Sequence, residues 1–191
     1  MSQTVDRMPP IATERMDEAQ RIAAAELIAG PRKSVTGPFV PLLRSPELMR
    51  RLQKVGEYLR FDTSLPPWAS ELASLIVARR WTQQFEWFTH VPLALREGVR
   101  PETVDALRDG RRPENLSREE AIVYDFSNEL LERHGVSDTT YETCKNQLGE
   151  RGIVELVGVL GYFTLVSMVL NVAHAPAPAS DGLEPLPFLP R

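Results

Sequence analysis

Apolar positions recur at three- and four-residue steps in one segment after another, the period of helices that each bury one face. Between residues 11 and 28, Met16, Ala19, Ile22, Ala23, Leu27 and Ile28 follow this period, and Gly30-Pro31 closes the segment. Residues 33–43 carry Gly37 and Pro38 and read as an extended loop. Phe39, Val40, Leu42 and Leu43 make that loop too apolar for a free linker, so it is expected to pack on the body or on a neighbouring subunit. Ser45-Pro46-Glu47 opens the next helix, to about Arg60, with a cap, a proline in the first turn and an acid at the positive end. Pro66-Pro67 opens a helix from Trp68 to Arg80, another follows at once from Trp81 to Glu97, and a short one runs from Pro101 to Gly110. Ser117 and Glu120 fit a capping box whose helix stops at Gly135. Ser137 caps a helix to about Leu148, and a last helix runs from Gly152 to Ala173. No segment alternates as a strand does. The chain therefore reads as one all-α domain over residues 11–174, with a disordered start at 1–10 and a proline-rich, extended tail at 175–191.

The stretch from Ile153 to Ala173 is almost wholly apolar and long enough to cross a bilayer. Glu155, Asn171, two glycines and several hydroxyl residues argue against a span, because a charge in hydrocarbon costs a few kcal/mol or more. A helix buried on all sides fits better, and in a domain this small that implies partial cover by a second subunit.

Composition narrows the field. The 191 residues carry 22 Lys and Arg against 26 Asp and Glu, a net charge of −4, which excludes the basic face of a nucleic-acid binder. A single cysteine, Cys144, forms no redox pair. The polar start lacks the pattern of a secretory signal, and a cytoplasmic protein is expected. There is no phosphate-binding glycine loop and no metal-ligand motif, so neither metal nor other cofactor is expected.

The candidate chemistry concentrates between Trp68 and His90. Trp68, Leu72, Leu75 and Ile76 form an apolar stripe, and Glu71 falls at its edge, where a carboxylate is partly desolvated. It is either an interfacial acid paired with Arg79 or Arg80 or part of a site. Gln83, Glu86 and His90, at steps of three and four, share one face of the next helix, with Trp87 beside them. Phe85 and Phe88 flank the trio, as in a small apolar pocket with a few placed polar groups, although such aromatics also serve as plain core. Glu86 can contact His90 directly and raise its pKa, which gives a proton donor or shuttle, or merely a surface ion pair.

Glu71, followed after eleven residues by Gln83-Gln84-Phe85-Glu86-Trp87-Phe88-Thr89-His90, resembles the carboxymuconolactone decarboxylase superfamily, which includes the AhpD-like alkylhydroperoxidases. In the peroxidase branch a glutamate precedes a CxxCxxxH motif by this spacing. Gln83 and Glu86 stand where that motif has its cysteines, and His90 stands at its histidine. Without those thiols the peroxidase and disulfide chemistry of that branch is not expected. The resemblance implies an AhpD-like helical fold, a homotrimer or homohexamer joined through the long apolar last helix, and a cofactor-independent carboxy-lyase acting on a small carboxylated lactone or enolisable acid, as in the breakdown of aromatic compounds. In that scheme Glu71, Glu86 and His90 relay the proton. Gln83 and Trp87 contact the substrate, and Arg79 or Arg80 grips its carboxylate. An isomerase or hydrolase-like enzyme with the same pocket, and a non-catalytic oligomer that binds a small ligand, are the alternatives.

Overall fold

In the computed structural model, which describes residues 5–180 and 182–188, eight α-helices follow a short 3₁₀ turn at Thr13–Arg15. They are α1 (Glu18–Ala29), α2 (Phe39–Leu42), α3 (Pro46–Phe61), α4 (Pro67–Arg80), α5 (Gln84–Arg96), α6 (Pro101–Arg108), α7 (Arg118–Arg133) and α8 (Asp138–Ala173). No strand occurs among the described residues.

Local chemistry sets these boundaries. Proline in the first turn opens α3, α4 and α6, where its missing N–H costs nothing. Ser117 and Glu120 form the expected capping box of α7, and Asp17 with Gln20 forms another on α1. The α8 helix is broken at Gly149, whose left-handed φ of 70° separates the two helices read from the sequence.

The central helix is α4. Leu72, Ala73, Ser74, Leu75, Ile76, Val77 and Ala78 are buried in succession, because α5, α7 and α8 pack around it. For the last helix all-round burial was expected with part of its cover from a second subunit. Just over half of the most apolar stretch of α8 is covered, although the helix is long and apolar enough to cross a membrane. Val154, Val157, Met168 and Val172 remain exposed along one side.

A second, smaller core lies under α1, α2 and α3, built from Ala23, Leu27, Phe39, Leu42, Leu43 and Met49. The apolar loop thus packs on the body, and part of it forms α2. Residues 5–10 and the tail are also tied down. The Arg7 amide donates to the Ala173 carbonyl and the Arg44 guanidinium donates to the Pro9 carbonyl, so residues 5–10 depart from the expected disorder; the rest of that expectation, on 1–4, lies outside the described residues. In the tail, Leu186 is buried, and its backbone exchanges two hydrogen bonds with the Gln84 side chain.

Candidate functional site

Three residues separate α4 from α5, and α5 folds back along α4. The turn is tight: Thr82 has a left-handed φ of 46°, and the Gln83 amide donates to the Ala78 carbonyl. This antiparallel pairing sets Glu71 of α4 against His90 of α5. Glu71 Oε2 lies 2.6 Å from His90 Nδ1, while Glu86 Oε2 lies 3.4 Å from Nε2 on the other side of the ring. Glu86 and His90 are one helical turn apart, as their spacing requires. The imidazole is thereby held between two carboxylates, and the edge-to-face contact of its ring with Phe163 of α8, 4.7 Å between centroids, fixes its plane.

Burial alone would push the His90 pKa down, since the charged form is the one that loses water. Hydrogen bonds and charge from Glu71 and Glu86 overturn that effect and raise it to about 9. At neutral pH the ring is an imidazolium with an N–H toward each carboxylate.

His90 and Glu86 line a cavity of about 400 Å³. Phe85, Thr89, Phe39, Tyr162 and Phe163 form much of its wall, and Arg32 and Arg60 supply its cations. The 31–38 loop roofs it. Gly37 has a φ of +56° and lies so close to the Phe85 ring that a Cβ there would sit 2.5 Å from it. A second cavity of about 300 Å³, lined by Ser70, Glu71, Ser74 and Arg96, lies on the Glu71 side, and Arg60, Phe61 and Phe163 border both.

Of the seven residues singled out from the sequence, Glu71, Glu86 and His90 meet. The other four lie outside the lining of the His90 cavity. Gln83 precedes the first turn of α5 and does not lie on its face. Its Oε1 accepts from the Phe85 amide at 2.6 Å, and its amide donates to Asn171 of α8 at 2.8 Å. The left-handed turn at Thr82 delays the helix by three residues from the expected start, and that removes Gln83 from the Glu86–His90 face. Arg79 donates to the Arg108 and Pro187 carbonyls and to the Thr82 hydroxyl. Arg80 donates to the Leu131 carbonyl and approaches Glu132. Trp87 is core, and its indole N–H donates to the Glu184 carbonyl in the tail. These four tie the ends of α4 and α5 to α6, α7, α8 and the tail. Among the described residues no group of three or more His, Cys, Asp or Glu side chains is placed to hold a metal ion.

The cations of the cavity, Arg32 and Arg60, and its phenol, Tyr162, were not read from the sequence. Arg32 stands two residues after Gly30 on the loop, and Tyr162 lies within the apolar stretch of α8, where a polar aromatic was the available signal.

No family model matches the chain, and no curated protein does. Among solved structures, the chain is similar to a protein from Ralstonia eutropha JMP134 described as an alkylhydroperoxidase AhpD core and an uncharacterized peroxidase-related protein, with a TM-score of 0.70 and 15% identity over 90% of this chain and 91% of that one. The fold is that of the AhpD core.

Proposed function

We propose that this protein is a cofactor-independent acid–base enzyme, most specifically a carboxy-lyase acting on a small carboxylated lactone or enolisable acid. The observation that carries this reading is a buried imidazolium held between Glu71 and Glu86 at the wall of an aromatic-lined cavity.

Loss of carbon dioxide breaks a carbon–carbon bond and leaves the electron pair on the substrate carbon. That carbon must gain a proton. His90 carries one on the Nε2 face toward Glu86 and the cavity, and a raised pKa keeps it in place at neutral pH. Glu71 orients the ring from Nδ1 and stabilises its charge. The proton that His90 gives up returns from water, for which the cavity beside Glu71 offers a route.

Thiol peroxidase chemistry finds no support in the side chains. It needs a reactive thiolate and a partner sulfur. The single cysteine, Cys144, is buried, and burial pushes its pKa up to about 11. We further infer a homo-oligomer, a trimer or hexamer by the resemblance, with the exposed apolar side of α8 in the contact. A monomer by light scattering would overturn that part.

The test is carbon dioxide release from candidate lactones by wild type and His90→Ala. The variant is expected to be slower by about a hundred- to ten-thousand-fold. Equal rates would remove His90 from the reaction. Deuterium exchange from solvent into a substrate without carbon dioxide release would move the reading to an isomerase on the same residues.

A further inference from the structure

Arg32 is the one guanidinium among the described residues whose buried nitrogens lack partners. Neither Nε nor Nη2 has a hydrogen-bond partner among the described residues, although both atoms are shielded from solvent. The side chain lies over the Phe39 ring, 4.6 Å from its centroid, and faces the cavity that holds His90 and Glu86. A half-buried cation with two shielded and open donors is costly, and proteins rarely retain one without use for it. The surroundings are shaped to keep it there. A Cβ on Gly56 of α3 would stand 2.3 Å from the Tyr162 hydroxyl and 2.8 Å from Arg32 Nη2, so only glycine leaves room for both. Tyr162 is edge-on to Phe163, and burial raises its pKa, so it remains a phenol able to donate.

We propose that Arg32 is a carboxylate-binding residue of this cavity, with Tyr162 as a neighbouring donor and the apolar body of the ligand against Phe85, Phe39 and Phe163. A guanidinium offers paired N–H donors in the plane of a carboxylate. The charges agree. Arg32 and Arg60 both line the cavity without a salt-bridge partner among the described residues, whereas the His90 charge is matched by Glu71 and Glu86. The assignment deepens the acid–base reading and rests on it for the reaction alone. There, the carboxylate on Arg32 is the one the product keeps, because a cation on the departing group would stabilise the charge that has to move onto carbon.

Benzoate, benzamide and inorganic phosphate serve as probes, with binding read by calorimetry at neutral pH and by the thermal midpoint of the full chain. Wild type is expected to bind benzoate and to prefer it at least tenfold over both benzamide and phosphate. Arg32→Gln is expected to weaken benzoate by about ten- to a hundred-fold and to erase the preference over benzamide. Arg32→Met is expected to raise the midpoint of the ligand-free protein, since it removes a half-buried cation whose shielded donors lack partners, and to abolish the further rise that benzoate gives to wild type. His90→Gln is expected to keep benzoate binding within a few-fold, so undiminished turnover with retained binding would fail the lyase reading and leave Arg32 its role. Benzoate binding unchanged in Arg32→Gln, no benzoate binding in wild type, phosphate bound as well as benzoate, or a lowered midpoint in Arg32→Met would each overturn the proposal.

Discussion

Glu71 and His90 lie nineteen residues apart on successive helices, and their Oε2 and Nδ1 atoms are 2.6 Å from each other in a nearly dry environment. This is the longest-range member of the Glu71–His90–Glu86 line, and it depends on how α4 and α5 pack. It is also the contact that opposes burial most strongly in setting the state of the ring.

Replacing Glu71 by Gln should therefore lower the His90 pKa by about 1–3 units, because an opposite charge and a charge-assisted hydrogen bond are removed while burial remains. Nitrogen chemical shifts of the imidazole, followed from pH 5 to 10, would show it. A midpoint that stays near 9 would mean that Glu86 alone holds the proton.

The same pKa gives a pH dependence of stability. The folded value, about 9, lies above the ordinary histidine value of about 6.5. The contribution of His90 is whole below about pH 6.5 and is lost as pH rises through 9. Wild type should lose unfolding free energy across that interval relative to His90→Gln, measured by urea titration at each pH. If the imidazolium is the proton donor, the lyase rate should fall over the upper end of the same range.

Glu155 works in the opposite direction. It is the buried acid within the apolar part of α8. Burial would raise its pKa, but donors at the Ser64 hydroxyl and amide, the Tyr58 hydroxyl and the Arg151 guanidinium lower it to about 2. Its contribution is present above the ordinary carboxylate value and is lost as pH falls from about 4.5 toward 2. Glu155→Gln should cost about 1–3 kcal/mol near neutrality, since donors lose a charged acceptor, and the gap to wild type should close in acid. Paired denaturation curves at pH 7 and pH 3 would measure both. A gap that does not narrow at the lower pH would place the effect in packing.

Gly56→Ala should displace the Tyr162 hydroxyl and Arg32 together, because the added methyl overlaps both. Overpacking of this kind costs about 1–3 kcal/mol. Thermal unfolding would give the loss, and Tyr162 ring resonances should shift with it. Unchanged Tyr162 signals would show that α3 moves instead.

Much of this protein can be read from local sequence because helix starts, helix stops and one-turn neighbours are set within a few residues. Ser117 with Glu120, the prolines that open α3, α4 and α6, and the Glu86–His90 step follow from backbone geometry alone. The Glu71–His90 distance, by contrast, is a product of packing. So is the fate of Gln83, whose spacing points to the site but whose side chain is taken by Asn171, 88 residues away. Arg79, Arg80 and Trp87 likewise find partners on α6, α7 and the tail. Arg32 reaches the cavity only because its loop folds over Phe85. Hydropathy also ranked α8 above α4 for burial, yet α4 is the enclosed helix, since enclosure depends on how many neighbours surround a helix and not on its apolar content alone. Short-range periodicity specified the helices and one of their acid–base pairs, while the arrangement of those helices decided which distant side chains converge on the imidazole and which became struts.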